Sequence, residues 1–170
     1  MAKLYERVYA FDADPEITEN NIGKVEGWGL KNVVVDEEVT PEIVEENASI
    51  FNGADILMTE VIEHIEGAEA AKLVEAVLRT NFSKVVITVP NRDFNINYNI
   101  GPDEMRHSDH KWEPNLEEFH TLMDLHLAIV KSDLLLKRDS SKIKLTVSGI
   151  GDSVNNVHSV LMATFERIKA

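Results

Sequence analysis

Apolar residues along this chain come in two alternating kinds of run. Arg7-Val8-Tyr9-Ala10-Phe11, Asn32-Val33-Val34-Val35-Asp36, Ala54-Asp55-Ile56-Leu57-Met58 and Ser83-Lys84-Val85-Val86-Ile87-Thr88-Val89 are short and mostly rich in β-branched residues. They read as strands, the last as a central one. Between them the spacing turns helical. A Pro-started helix is predicted over Glu16 to Ile22, followed by a loop from Gly23 to Gly29 with Trp28 as a surface or interface anchor. Thr40 caps a short helix that opens at Pro41 and runs to about Asn47. From Ala68 to Thr80 the apolar positions Ala70, Leu73, Val74, Val77 and Leu78 form one amphipathic stripe.

The second half is less regular. Arg92 to Asp109 has no period and reads as a long ordered loop, which in a compact domain usually carries function. A helix runs from Leu116 to about Leu127, with Phe119, Leu122, Met123 and Leu127 on one side. Ile129-Val130, Leu134-Leu135-Leu136, Ile143-Lys144-Leu145-Thr146-Val147 and Val160-Leu161-Met162-Ala163-Thr164-Phe165 are strand candidates. The late strands, joined by a glycine-containing turn, predict an antiparallel hairpin at the sheet edge. Alternating strands and helices without linker or repeat predict a single α/β domain over residues 1–170. Gly149-Ile150-Gly151-Asp152 is too weak a glycine pattern, with no suitable helix behind it, to read as a phosphate loop.

Composition narrows the chemistry. The chain of 170 residues has no cysteine, which removes disulfides, thiolate metal sites and cysteine nucleophiles and fits a reducing cytoplasm. Neither a secretory leader nor a membrane-spanning run is expected. The net charge of -13, from 17 basic against 30 acidic residues, argues against broad non-specific nucleic-acid binding. A small site gripping one nucleotide through a cation is compatible with it.

Such a site is suggested by Thr59-Glu60-Val61-Ile62-Glu63-His64-Ile65-Glu66-Gly67, directly after a strand. If the segment turns helically there, Glu60, Glu63 and His64 stand at i, i+3 and i+4 on one face. They are either solvated acids and a turn cap, or donors to a divalent cation. Arg106-His107-Ser108-Asp109-His110 supplies a second cluster, and a His from it would complete the set. Mixed oxygen and imidazole donors suit manganese at least as well as magnesium. Four protein ligands on a six-coordinate ion leave two positions, enough for the vicinal diol of a terminal ribose. Asp109 either fixes the tautomer of a ligating His or caps a turn, and Arg106 pairs either with a phosphate or with an acid. His120, His126 and His158 lie away from both clusters. Asp12 and Asp14 end the first strand; an acid there receives ribose hydroxyls in nucleotide-binding sheets, or caps the following helix.

Three runs carry a resemblance: Glu60-Val61-Ile62-Glu63-His64-Ile65, Val89-Pro90-Asn91-Arg92-Asp93-Phe94-Asn95, and Arg106-His107-Ser108-Asp109-His110-Lys111-Trp112-Glu113 followed by Glu118-Phe119. With the closing Ser159–Arg167 run, they make the chain resemble the metal-dependent small-RNA 3′-terminal ribose 2′-O-methyltransferases from about Arg7 to Arg167. The resemblance implies metal ligation by Glu60, Glu63, His64 and His110, a base at His64 or a neighbour, and S-adenosylmethionine with its ribose on Asp12. It implies methyl transfer to the 2′-hydroxyl at an RNA 3′ end, with Glu63 and His64 as the catalytic pair. The fold it implies is a truncated Rossmann-like methyltransferase sheet, mostly parallel, with an antiparallel C-terminal hairpin.

Two departures stand out. The family's first strand and glycine-rich cofactor turn have no counterpart before Arg7, and Trp112-Glu113-Pro114-Asn115 stands where the family usually has Phe-Glu-Trp-Thr. A partner chain or a second copy is expected to cover the edges left by the first departure. The alternatives are one piece of a split enzyme and a non-catalytic methyltransferase-like binding or structural subunit. A metal-dependent hydrolase using Glu63 as base fits less well, because the order Glu-x-x-Glu-His lacks the second His of the zinc-protease helix.

Overall fold

A computed structural model of the chain describes residues 3–37, 39–101, 104–137 and 141–168. Its internal contacts divide into two units, Met1–Ile43 and Val44–Ala170. The first is a β-α-β unit. Strands β1 (Val8–Phe11) and β2 (Val33–Asp36) pair in parallel, Val8 beside Val33 and Phe11 beside Asp36, across helix α1 (Pro15–Gly27). Asp14 caps α1, accepting from the backbone amides of Glu16 and Ile17 at 2.8 and 3.4 Å, with Pro15 in the first turn. The helix does not stop at Ile22 as predicted; it continues through the expected Gly23–Gly29 loop to Gly27. One glycine inside a helix costs only about 1 kcal/mol. The stop comes where Gly29 takes a φ of +65° and Trp28 caps the last turn, its own side chain 70% exposed.

Helix α2 (Pro41–Glu46) spans the boundary between the units, with the Thr40 hydroxyl accepting from the Ile43 amide at 3.3 Å. The second unit is built on a four-stranded sheet in the order β3-β4-β6-β5. Strand β3 (Asp55–Thr59) runs parallel to β4 (Lys84–Pro90), with helix α3 (Gly67–Arg79) between them in the chain. Beyond them come helix α4 (Leu116–Leu136) and the antiparallel hairpin β5 (Lys142–Val154) and β6 (Val157–Ile168). Strand β4 is central, flanked by β3 and β6, and Val85, Ile87 and Val89 are fully buried. Among the described residues β3 has a strand neighbour on one side only, as does β1. The sheet is thus mixed: its parallel part precedes the hairpin expected at the end of the chain.

Helices α3 and α4 bury their apolar stripes, Leu73, Val74, Val77 and Leu78 on one, Phe119, Met123, Leu127 and Val130 on the other. Arg79 of α3 bonds Asp133 of α4 at 2.9 Å. The strands predicted at Ile129-Val130 and Leu134–Leu136 are the last turns of α4. Val130 and Leu134 stand three and seven residues after Leu127, so they continue its buried stripe, and helical packing overrides the local β preference. Asn115 and Glu118 form a reciprocal capping box at the other end.

The hairpin turn carries no glycine. It is Asn155-Asn156, both at positive φ (+51° and +66°), the backbone that a two-residue turn matched to strand twist requires and that asparagine tolerates. The glycines sit earlier in β5, Gly151 within an irregularity between Ile150 and Ser153 and Gly149 just before it. There a side chain on Gly149 would meet His158 at 2.6 Å. The loop predicted from Arg92 opens with a short 3₁₀ helix, Arg92–Tyr98; positions 102 and 103 of that stretch lie outside the described residues. No helix among the described residues is long and apolar enough to cross a membrane.

Candidate metal centre

The end of β3 sets up the first half of the site. The chain leaves the strand through Glu60 at a φ of +54°, a costly conformation for a non-glycine residue and one that clusters at functional sites. Ile62–His64 then form a single 3₁₀ turn. Glu60 therefore does not lie on one helical face with Glu63 and His64; the left-handed residue breaks the predicted register. Thr88 on β4 fixes it instead. The Glu60 amide donates to the Thr88 carbonyl and hydroxyl at 3.1 and 3.2 Å, and that hydroxyl donates to Glu60 Oε1 at 2.9 Å.

The second half is docked onto the first by two backbone acceptors. The Lys111 amide donates to the Glu63 carbonyl at 2.7 Å, and the Trp112 indole donates to the Ile62 carbonyl at 3.1 Å. The imidazoles of His64 and His110 then meet edge to face, 4.7 Å between centroids, and His107 lies 5.1 Å from His110. Residues 46 positions apart in the chain thus share one site. Glu63, His64 and His110 each offer a ligand atom within 4.8 Å of the others. Glu60 is outside that cluster, held by Thr88, yet its charge still acts on Glu63.

Glu63 is the anomaly that defines the place. Its side chain is fully buried, and neither carboxylate oxygen has a hydrogen-bond partner. Its pKa is raised to about 8, first by burial, with the charges of Glu60, Glu113 and Asp109 pushing the same way and its own backbone amide opposing them. A buried carboxylate without a donor is unfavourable unless something cationic meets it. Each imidazole is meanwhile held at Nδ1 by a carboxylate: His64 by Asp109 at 3.0 Å and His110 by Glu113 at 2.6 Å. That leaves each ring one nitrogen, Nε2. One orphaned carboxylate and two imidazoles with carboxylates behind them could hold a borderline divalent cation, and such mixed donors would suit manganese better than magnesium.

Asp109 stands against His64 Nδ1, where a residue fixing that ring's tautomer would have to stand. Its carboxyl lies below the usual range, held there first by its own backbone amide and then by His64. The Arg106 guanidinium is bonded to neutral groups: Nε donates to Asn95 Oδ1 at 2.6 Å, and Nη2 donates to the carbonyls of Asn91 and Ser159 at 2.8 and 2.7 Å. His126 is buried against Glu75, and His120 sits beside Asp124, both away from the cluster. Glu113 and Thr88 escaped the reading of the sequence as site residues. The three-residue step from His110 to Glu113 was the available signal for the first; the second had none, since its role comes from sheet register alone.

In the first unit, Asp12 follows β1 and accepts the Asp14 amide at 3.0 Å. Asp14 is the helix cap.

No protein-family model matches the chain. A curated small RNA 2′-O-methyltransferase of Caenorhabditis elegans is 36% identical to it over 84 residues, 49% of this chain and 19% of that protein. Over that stretch the chain is similar to a small-RNA 2′-O-methyltransferase. It spans about a fifth of the length of that relative. The fold agrees: the crystal structure of the small RNA methyltransferase HEN1 superposes with a TM-score of 0.72 at 21% identity, over 95% of this chain and 20% of that one. A chain in the structure of a Pnkp1/Rnl/Hen1 complex gives 0.69 at 22% identity, over 98% of this chain and 32% of that one. These likenesses show a Rossmann-like methyltransferase fold.

Proposed function

We propose that this chain carries the metal-dependent half of an RNA 2′-O-methyltransferase acting on the 3′-terminal ribose. The observation that carries the reading is buried Glu63, without a partner, between two imidazoles whose outer nitrogens are already committed. Glu63, His64 and His110 would hold the cation, with Glu60 joining on release from Thr88. When bound, the ion would hold the 2′- and 3′-hydroxyls together and lower the pKa of the reacting one, confining the reaction to free RNA ends. The methyl group moves from the sulfonium of S-adenosylmethionine to the 2′-oxygen; the S–C bond breaks, its electron pair stays on sulfur, and the hydroxyl proton leaves to a base.

The base assignment turns on counting nitrogens. With Nδ1 on Asp109, His64 has only Nε2, and a nitrogen that ligates cannot take a proton in the same step. Glu63 and His64 therefore act by ligation, and the proton goes to the neighbouring imidazole of His107, which is exposed and beside His110. Asp12, at the end of β1, is proposed to receive the cofactor ribose. A strand and glycine-rich turn from a protein partner or a second copy complete the cofactor site, a reading supported by β1 and β3 each having a strand neighbour on one side only among the described residues. The absence of cysteine supports a cytoplasmic setting.

The test uses the chain together with whatever co-purifies, methyl-labelled cofactor and manganese. Transfer is expected to RNA ending in a 2′,3′-diol and not to RNA ending in 2′-deoxyribose or a 3′-phosphate. Equal labelling of all three ends would sink the reading. The second reading, a non-catalytic subunit, draws on the net charge of -13. It is favoured if calorimetry shows no S-adenosylmethionine binding with or without manganese, even after a partner is restored.

A further inference from the structure

We propose that Glu113 is a positioning residue: it locks His110 into the tautomer protonated at Nδ1 and so presents Nε2 as the cation-binding nitrogen. The inference rests on reading Glu63, His64 and His110 as a cation site, and adds the residue that makes one of them rigid.

Glu113 is buried, and three donors converge on it. Its Oε1 lies 2.6 Å from His110 Nδ1 and accepts from the Arg106 amide at 2.7 Å, while Oε2 accepts from Asn95 Nδ2 at 2.6 Å. With a backbone amide on one oxygen and a side-chain amide on the other, Glu113 is placed as an acceptor, so the ring nitrogen facing it carries the hydrogen. The anchorage continues outward. Asn95 is held by the Arg106 guanidinium, which is pinned to the carbonyls of Asn91 and Ser159. A chain of hydrogen bonds therefore runs from strand β6 to the imidazole of His110.

His64 is built differently. Its pairing with Asp109 has the same form at 3.0 Å, but the two side chains are 38% and 68% exposed, against 3% and 1% for His110 and Glu113. Water competes for the exposed pair and not for the buried one. The site thus has one fixed imidazole and one adjustable one, and the fixed one depends on Glu113. Glutamine cannot substitute. Donors approach both oxygens of Glu113, so an amide nitrogen in either place sets donor against donor.

The experiment measures the imidazole tautomer of His110 by ¹⁵N NMR in the metal-free protein, together with the affinity for Mn²⁺ alone. In the native chain the ring is expected to be protonated at Nδ1. Glu113→Gln should shift the tautomer and weaken Mn²⁺ binding by about tenfold to a hundredfold. Asn95→Ala, which spares the Glu113–His110 bond, should lower the melting temperature while the tautomer stays. A native ring protonated at Nε2, or a Glu113→Gln protein with native tautomer and Mn²⁺ affinity, overturns the proposal. If Glu113→Gln does not fold, the native tautomer decides alone. A native protein that binds no Mn²⁺ refutes the cation reading, and the tautomer still decides the role of Glu113.

Discussion

At the residue scale, Glu63 shows a site written as a stability defect. Its pKa in the folded chain, about 8, lies above the 4.5 of an exposed glutamate, because burial penalises its charge. The folded state holds that proton more tightly than the unfolded one. The contribution is full below pH 4.5 and is lost as pH rises through 8, roughly 5 kcal/mol at most in the metal-free protein. Glu63→Gln should therefore flatten the fall in stability between pH 5 and pH 8, read by urea melts at both pH values. Mn²⁺ at a hundredfold over its dissociation constant should stabilise the native chain by about 2.7 kcal/mol. His110→Ala should lose that increment, and with it methyl transfer, while the metal-free circular dichroism stays native. A variant still stabilised by Mn²⁺ would place the ion elsewhere.

At the element scale, the site exists because short irregular segments are pinned to regular ones. The 3₁₀ turn after β3 receives the Lys111 and Trp112 bonds, and Thr88 of β4 fixes the left-handed Glu60. The hairpin is locked in its own way: Gly149 leaves room for the His158 side chain, which a methyl group would meet at 2.6 Å. Gly149→Ala should cost about 1–3 kcal/mol, seen as a lower urea midpoint. Asn115→Ala, removing the capping box of α4, should cost about 1 kcal/mol by the same measurement and leave Mn²⁺ affinity unchanged.

At the scale of the whole molecule, charge and sheet edges matter most. With a net charge of -13, the chain alone should bind RNA weakly, and added partner rather than lower salt should restore binding. Filter binding with and without the co-purifying protein checks this; tight binding by the chain alone would argue against a partner. Among the described residues β1 and β3 each have a strand neighbour on one side only, and a partner's strand would add on the other.

Residue order alone determined the strands and helices up to the end of β4, the cap at Thr40 and the two His-bearing segments, since these follow from local spacing and side-chain chemistry, and it left Asp14 open between a cap and a ribose acceptor. It misplaced the end of α4 because an apolar pair such as Ile129-Val130 suits strand and helix equally until a neighbouring helix buries one face. It placed Glu60 with Glu63 because spacing cannot reveal a single left-handed residue. Only the folded chain decided that His64 and His110 meet, that Glu63 is left without a donor, and that Glu113 stands behind His110. Those are facts of burial and long-range hydrogen bonding, which no local pattern encodes.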